Sequence, residues 1–236
     1  MRSVFILAAG FLAAAMAATP LAARDLSPTE EARLQDGEVL VEVTPDREGS
    51  DRVWAAEDIA APPDTVWAVM TECDEALRYV PRLKTCEVVQ ADPAGRWDVR
   101  SQRLSSVLFL PDVKVVFHLD YDRPRSMRFY QVSGDMTGTA GEWRLVPLPG
   151  GRGTRVFYDA RLGVPDGVPG PFARALMRSD APAAMRGLRA RSLERAQATS
   201  RGRPERGAPA LKSRLSSTRT SPTRPAAELF SVGYIR

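Results

Sequence analysis

From about residue 83 to residue 164 the chain alternates apolar and polar residues, with turn chemistry breaking the pattern at short intervals. A period of two sends successive side chains to opposite faces of an extended strand. The pattern therefore predicts strands over residues 85–90, 96–104, 113–121, 126–133, 139–146 and 154–164. Between them stand Asp92-Pro93-Ala94-Gly95, Asp122-Arg123-Pro124, Ser133-Gly134-Asp135 and the glycine-rich run from Pro149 to Gly153. These residues favour tight turns, and short connections between successive strands predict an antiparallel meander.

Upstream, residues 38–43 and 51–60 read as two further strands. Before them, Ser27 as N-cap, Pro28 at the first helical position and Glu30 and Glu31 in the first turn predict a short helix that Gly37 ends. After Pro62 and Pro63, Asp64 is expected to cap an apolar helix running to Met70, and residues 74–79 form one more helical turn closed by Pro81. Pro169-Gly170-Pro171 resets the chain into a helix from Phe172 to about Ala196. Pro182 is expected to break that helix, with Ser179 or Asp180 capping a second segment after a kink.

The strands are two-faced. Val113, Val115, Phe117, Leu119 and Tyr121 share one side of their strand, while Lys114, His118 and Asp120 share the other with Val116. Val156, Tyr158, Ala160 and Leu162 alternate against Arg155, Asp159 and Arg161. On the last helix, Phe172, Leu176, Met177, Ala184 and Leu188 make an apolar stripe. Such residues fill cores more often than they line pockets, so the pattern alone predicts a buried face and no cavity.

Signals for catalysis are sparse. A nucleophilic triad needs a histidine beside a serine or cysteine, and the one histidine, His118, falls on the charged side of its strand, where a solvated surface residue is expected. No Gly-x-Ser-x-Gly, phosphate-binding loop or HExxH segment is present. Scattered acid/base chemistry stays open, with Ser101, Arg103 and Tyr158 as the polar residues expected to face inward.

Composition sharpens this picture at three points. A length of 236 residues suits one ordinary domain with extensions, and 44% hydrophobic with 26% charged residues suits a soluble globular core. Charge is uneven: residues 198–236 carry eight basic side chains against two acidic, leaving residues 1–197 at −2. The basic pI thus belongs to a tail expected to be disordered and suited to anionic lipid headgroups, and no nucleic-acid partner is predicted. Arg2 followed by the apolar run 4–18 and small residues at 15–17 or 21–23 predicts a cleaved signal peptide over residues 1–23, hence a periplasmic or secreted protein. In an oxidising compartment the two cysteines, Cys73 and Cys86, read either as a disulfide or as two buried thiols, with the disulfide preferred.

Several segments in order carry a family likeness. They are Ile59-Ala60-Ala61-Pro62-Pro63-Asp64-Thr65-Val66-Trp67, then Tyr79-Val80-Pro81-Arg82-Leu83-Lys84, Gly141-Glu142-Trp143-Arg144-Leu145-Val146-Pro147, Gly153-Thr154-Arg155-Val156-Phe157-Tyr158, and the helix after Pro171. Over residues 50–197 the chain resembles the START-like (SRPBCC) helix-grip superfamily, in the polyketide cyclase/dehydrase branch that includes coenzyme-Q-binding proteins. The resemblance implies an α+β helix-grip fold: a curved antiparallel sheet wrapped around a long C-terminal helix, with two small helices after the first core strand. Residues 24–49 are then an N-terminal extension. The resemblance also implies a small hydrophobic or lipid-like ligand held between sheet and helix; a monomer without a cofactor is expected, and no metal, since two cysteines and one distant histidine do not build a zinc site. Val115, Phe117, Leu119, Phe129, Trp143, Val156, Tyr158, Phe172, Leu176 and Met177 are the expected ligand-binding residues. A Cys73–Cys86 link would pin the small helices to one side of the cavity mouth. The alternative is a cyclase/dehydratase-type enzyme using the same cavity.

Overall fold

A computed structural model of the chain describes residues 24–46, 49–105, 111–136, 138–165 and 167–201. The predicted signal peptide and the tail from residue 202 onwards lie outside the described residues.

The chain enters through the expected N-cap, Ser27, which the structure completes into a capping box with Glu30. The Glu30 backbone N–H donates to Ser27 Oγ at 3.3 Å, and the Ser27 backbone N–H donates to the Glu30 carboxylate at 2.8 Å, at the head of α1 (Pro28–Gln35). Two strands follow, β1 (Leu40–Pro45) and β2 (Ser50–Ile59), then α2 (Pro63–Thr71) and α3 (Cys73–Tyr79). Asp64 does not cap α2: Pro62 occupies the N-cap without a side-chain bond, and Asp64 sits in the first turn, where its charge suits the helix dipole.

The six predicted strands form β3 (Leu83–Ala91), β4 (Trp97–Leu104), β5 (Val113–Asp122), β6 (Ser126–Gly134), β7 (Ala140–Pro147) and β8 (Thr154–Gly163). They make the expected antiparallel meander. β8 then pairs back onto β2, giving one eight-stranded sheet in the order β1-β2-β8-β7-β6-β5-β4-β3. β7 and β8 approach closely at Gly141 and its partner Ala160: a Cβ on Gly141 would lie 2.5 Å from the Ala160 Cβ, so only glycine allows the approach. On the convex side α1 covers β1 and β2 through Leu34, Leu40, Trp54 and Ala56. His118 also faces that side, but it is half-buried rather than solvated. Its ring lies between Trp97 and Tyr130, at centroid distances of 5.2 and 5.0 Å.

The last helix, α4 (Gly170–Arg201), crosses the concave face. It runs unbroken through Pro182, so the expected second cap at Ser179 or Asp180 is not formed, and Asp180 instead pairs with Arg82. Proline removes one helical hydrogen bond, but tertiary anchors on both sides of it hold the helix axis. Towards β2, Arg174 Nη1 donates to Asp51 Oδ1 at 2.8 Å, and Arg189 Nε stands 3.1 Å from Glu57 Oε2. Six residues of strand rise ~20 Å and fifteen residues of helix ~22 Å, so α4 is held alongside β2 and parallel to it. Towards the small helices, Arg191 bonds Glu75 at 2.8 Å and Arg195 bonds Glu72 at 2.7 Å. Gly187 lets the α4 backbone touch α3, since a Cβ there would lie 2.8 Å from the Tyr79 Cβ.

Glu57 is fully buried, and despite its proximity to Arg189 neither carboxylate oxygen has hydrogen-bond geometry to a partner. Burial pushes its carboxyl up to about 8, against the pull of Arg189. From the ordinary 4.5 up to about 8 the native state holds a proton that the unfolded chain has released, so stability contributed by this group falls as pH rises through that window. Glu57→Gln mimics the protonated form. It should match wild type in thermal melts near pH 4.5 and exceed it progressively towards pH 9. A difference that does not grow with pH would contradict this.

Cys73 and Cys86 form a disulfide, with Cα atoms 5.3 Å apart, joining the start of α3 to the edge strand β3. Closing this short loop should contribute about 3 kcal/mol by restricting the unfolded chain. The Cys73→Ser, Cys86→Ser double variant should melt roughly 6–12 °C below oxidised wild type, and reductant should bring wild type down to the variant. Two reactive thiols per denatured, unreduced chain would refute the link.

Candidate functional site

α4 is buried against the sheet and small helices at Met185, Leu188 and Ser192. Its N-terminal half roofs a cavity of about 380 Å³. Phe172, Leu176 and Met177 face it from the helix, and Val115, Phe117, Leu119, Phe129, Trp143 and Tyr158 from the sheet. These nine of the ten expected residues come together on one surface. Val156 does not: it has the same parity as Tyr158 but is wholly buried in the core with Ile59, Val66 and Leu145, towards the end of β8 that the small helices cover.

The aromatic residues form a continuous floor. Phe117 meets Phe129 edge-on at 5.5 Å, Phe129 lies parallel to Tyr158 at 6.1 Å, and Trp143 meets Tyr158 at 4.4 Å. Around that floor stand Met70, Met127, Met136, Met177 and Met185, which are all the methionines of the chain after residue 16. Thioether side chains are unbranched and polarizable and adapt to varied apolar shapes. That concentration of methionine is visible in the sequence once the strand faces are known.

Polar groups enter chiefly from one side. On β4 it is Arg100 and Gln102 that face the cavity, while Ser101 and Arg103 have the opposite parity and point away. Sequence parity misleads here because the apolar Trp97 and Val99 of β4 lie on the convex side, where Trp97 stacks on His118. Arg100 is bound to its own strand: Nε and Nη2 donate to Asp98 at 2.9 and 2.8 Å, and Nη2 also donates to Tyr121 Oη at 2.7 Å. The Tyr121 hydroxyl donates in turn to Asp98 Oδ2 at 2.6 Å. Burial keeps that hydroxyl protonated well above its ordinary range.

At the corner between α3 and β3, Arg82 adopts a left-handed conformation, φ 61°, and reaches across to Asp180 of α4. Burial pushes the Asp180 carboxyl up while Arg82 pulls it down. Tyr79 and Tyr158 also face the cavity, and burial raises both hydroxyls. Among the described residues the Tyr158 hydroxyl has no hydrogen-bond partner. It is available as a donor, and a poor proton acceptor.

The arrangement is a greasy chamber with few polar contacts, suited to enclosing one small apolar molecule and fixing its orientation at one end. No curated protein sequence matches this chain. Solved structures do. A STAR-related lipid transfer protein from Xanthomonas axonopodis is 16% identical with a TM-score of 0.52, over 65% of this chain and 98% of that one. A START superfamily protein from Mycobacterium smegmatis is 20% identical with a TM-score of 0.51, over 61% and 97%. An aromatase/cyclase from Streptomyces sp. R1128 is 16% identical with a TM-score of 0.50, over 65% and 97%. At these identities the likeness is one of fold, the START helix-grip fold. The sequence itself goes further: residues 50–200 match the family described as polyketide cyclase / dehydrase and lipid transport, which takes in every strand but β1 and all three helices that line the cavity, and the chain belongs to that family.

Proposed function

We propose that this protein is an exported carrier that encloses one small hydrophobic or lipid-like molecule, of quinone, isoprenoid or polyketide type, between its sheet and α4. The observation that carries the reading is the aromatic-floored, methionine-lined chamber of about 380 Å³ beneath Phe172, Leu176 and Met177. Removing apolar area from water is worth about 25 cal/mol per Å², so a ligand covered on most sides would be held mainly by that term. Export is supported by the apolar leader pattern of residues 4–18 and by the Cys73–Cys86 disulfide, which persists in oxidising compartments. No described helix is long and apolar enough to cross a membrane.

One observation favours a second reading, a cyclase/dehydratase-type enzyme: the unengaged Tyr158 hydroxyl inside the chamber. As a buried donor it suits proton delivery to, or polarisation of, a substrate carbonyl. The carboxylates nearest the cavity, Asp98 and Asp180, are both committed to arginines, which weakens the case for a general base.

Binding of the neutral fluorophore N-phenylnaphthylamine tests the carrier reading. Wild type should enhance its emission with one saturable site. Phe117→Glu and Trp143→Glu, each placing a charge on the floor, should weaken uptake at least tenfold in variants that still melt cooperatively. Tyr158→Phe should bind as wild type does. Absence of uptake by wild type would remove the carrier reading, and turnover of a polyketide-like substrate that Tyr158→Phe abolishes would replace it with the enzyme.

A further inference from the structure

The charges on the cavity wall cancel. Among the described residues the wall carries three ionisable side chains of the acid and guanidinium kinds, Arg82, Arg100 and Asp180, and Arg100 is bonded to a fourth, Asp98. Each arginine therefore faces its own carboxylate. Arg100 and Asp98 are only 4% and 7% exposed, so water does little to loosen them. The formal sum at the wall is zero.

Hydrogen-bond capacity does not cancel. Both carboxylates are spent on arginines, so no uncommitted anionic acceptor is left at the wall. A donor is left over: among the described residues the Tyr158 hydroxyl, on the cavity wall, has no hydrogen-bond partner. The Gln102 amide meets only the Cys86 sulfur, at 3.8 Å, a weak acceptor. Arg82 and Gln102 belong to the β3–β4 side, while Phe117, Phe129 and Trp143 make the facing wall apolar.

We infer that the cavity selects uncharged amphiphiles whose polar end carries hydrogen-bond acceptors, such as a ketone, quinone or ester carbonyl, over carboxylates and ammonium ions of the same chain length. This rests on the carrier reading above and names its ligand class. A carboxylate entering the chamber gives up its hydration and finds both cations already neutralised. An ammonium ion finds both carboxylates occupied. A neutral carbonyl gives up one or two water hydrogen bonds and regains them from Gln102 or Tyr158.

Displacement of N-phenylnaphthylamine by dodecyl methyl ketone, dodecanoate and dodecylammonium, each below its aggregation limit at pH 7.5, tests the inference. The ketone should displace the fluorophore from wild type at concentrations at least tenfold lower than either ion. Asp98→Asn keeps the shape of the pair and frees the Arg100 charge. It should tighten dodecanoate at least tenfold and move the ketone less than about threefold. Asp180→Asn does the same for Arg82 at a half-exposed site, so the test survives if Asp98→Asn fails to fold. Dodecanoate binding as tightly as the ketone in wild type, or unchanged in a folded Asn variant, would overturn the inference with the carrier reading intact. If wild type takes up the fluorophore but none of the three displaces it, the chemical class is wrong. If wild type takes up no fluorophore, the carrier reading falls and takes the inference with it.

Discussion

A single helix about 10–12 Å across has to cover the concave face of an eight-stranded sheet whose strands, at about 4.8 Å spacing, span roughly 34 Å. One helix cannot do that on a flat sheet. The sheet accordingly curves around the helix, and α2 and α3 fill one end of the trough. What stays uncovered is the space beneath the N-terminal half of α4. The cavity is thus a geometric consequence of the layer count, and the aromatic and methionine side chains around it set its chemistry.

The position of α4 follows from charge as much as from packing. Arg174, Arg189, Arg191 and Arg195 contact Asp51, Glu57, Glu75 and Glu72, and Arg178 reaches the Val43 carbonyl. A helix so rich in arginine resembles a nucleic-acid surface in sequence, yet these five arginines are engaged by structural partners. The pairs whose carboxylates are buried, at Asp51 and Glu57, fix orientation more than they add stability, and Glu57, lacking hydrogen-bond partners for its oxygens, shows the desolvation cost directly. The family hosts both lipid transport and cyclase chemistry on one architecture, so the distinction rests on the few polar groups at the wall: a neutralised Arg100, a neutralised Arg82, the Gln102 amide and the Tyr79 and Tyr158 hydroxyls.

Much of the fold was legible because two local signals agreed. Period-two alternation placed each of the six meander strands to within two residues, and glycine, proline and aspartate turns separated them. Ser27 and Pro28 announced the start of α1. Local signals failed where tertiary contacts overrode them. Pro182 reads as a helix break, but anchors at Arg174, Asp180 and Arg189 carry α4 through it. β4 reads with its apolar face inward, whereas Trp97 is held on the convex side by the His118 ring, turning Arg100 and Gln102 towards the ligand space. Val156 has the right parity and the wrong position along its strand, a distinction that alternation alone does not encode.

Five methionine methyl groups, of Met70, Met127, Met136, Met177 and Met185, surround the chamber from α2, the β6 strand and its following loop, and α4. Methyl-selective NMR of methionine-labelled protein lacking the first 23 residues therefore observes the cavity and nothing else among the described residues. Titration with the neutral ketone should shift all five resonances together and saturate at one equivalent. Resonances that stay in place while the protein binds the ketone elsewhere, or that never move with any hydrophobic ligand, would contradict a cavity that carries its cargo under α4.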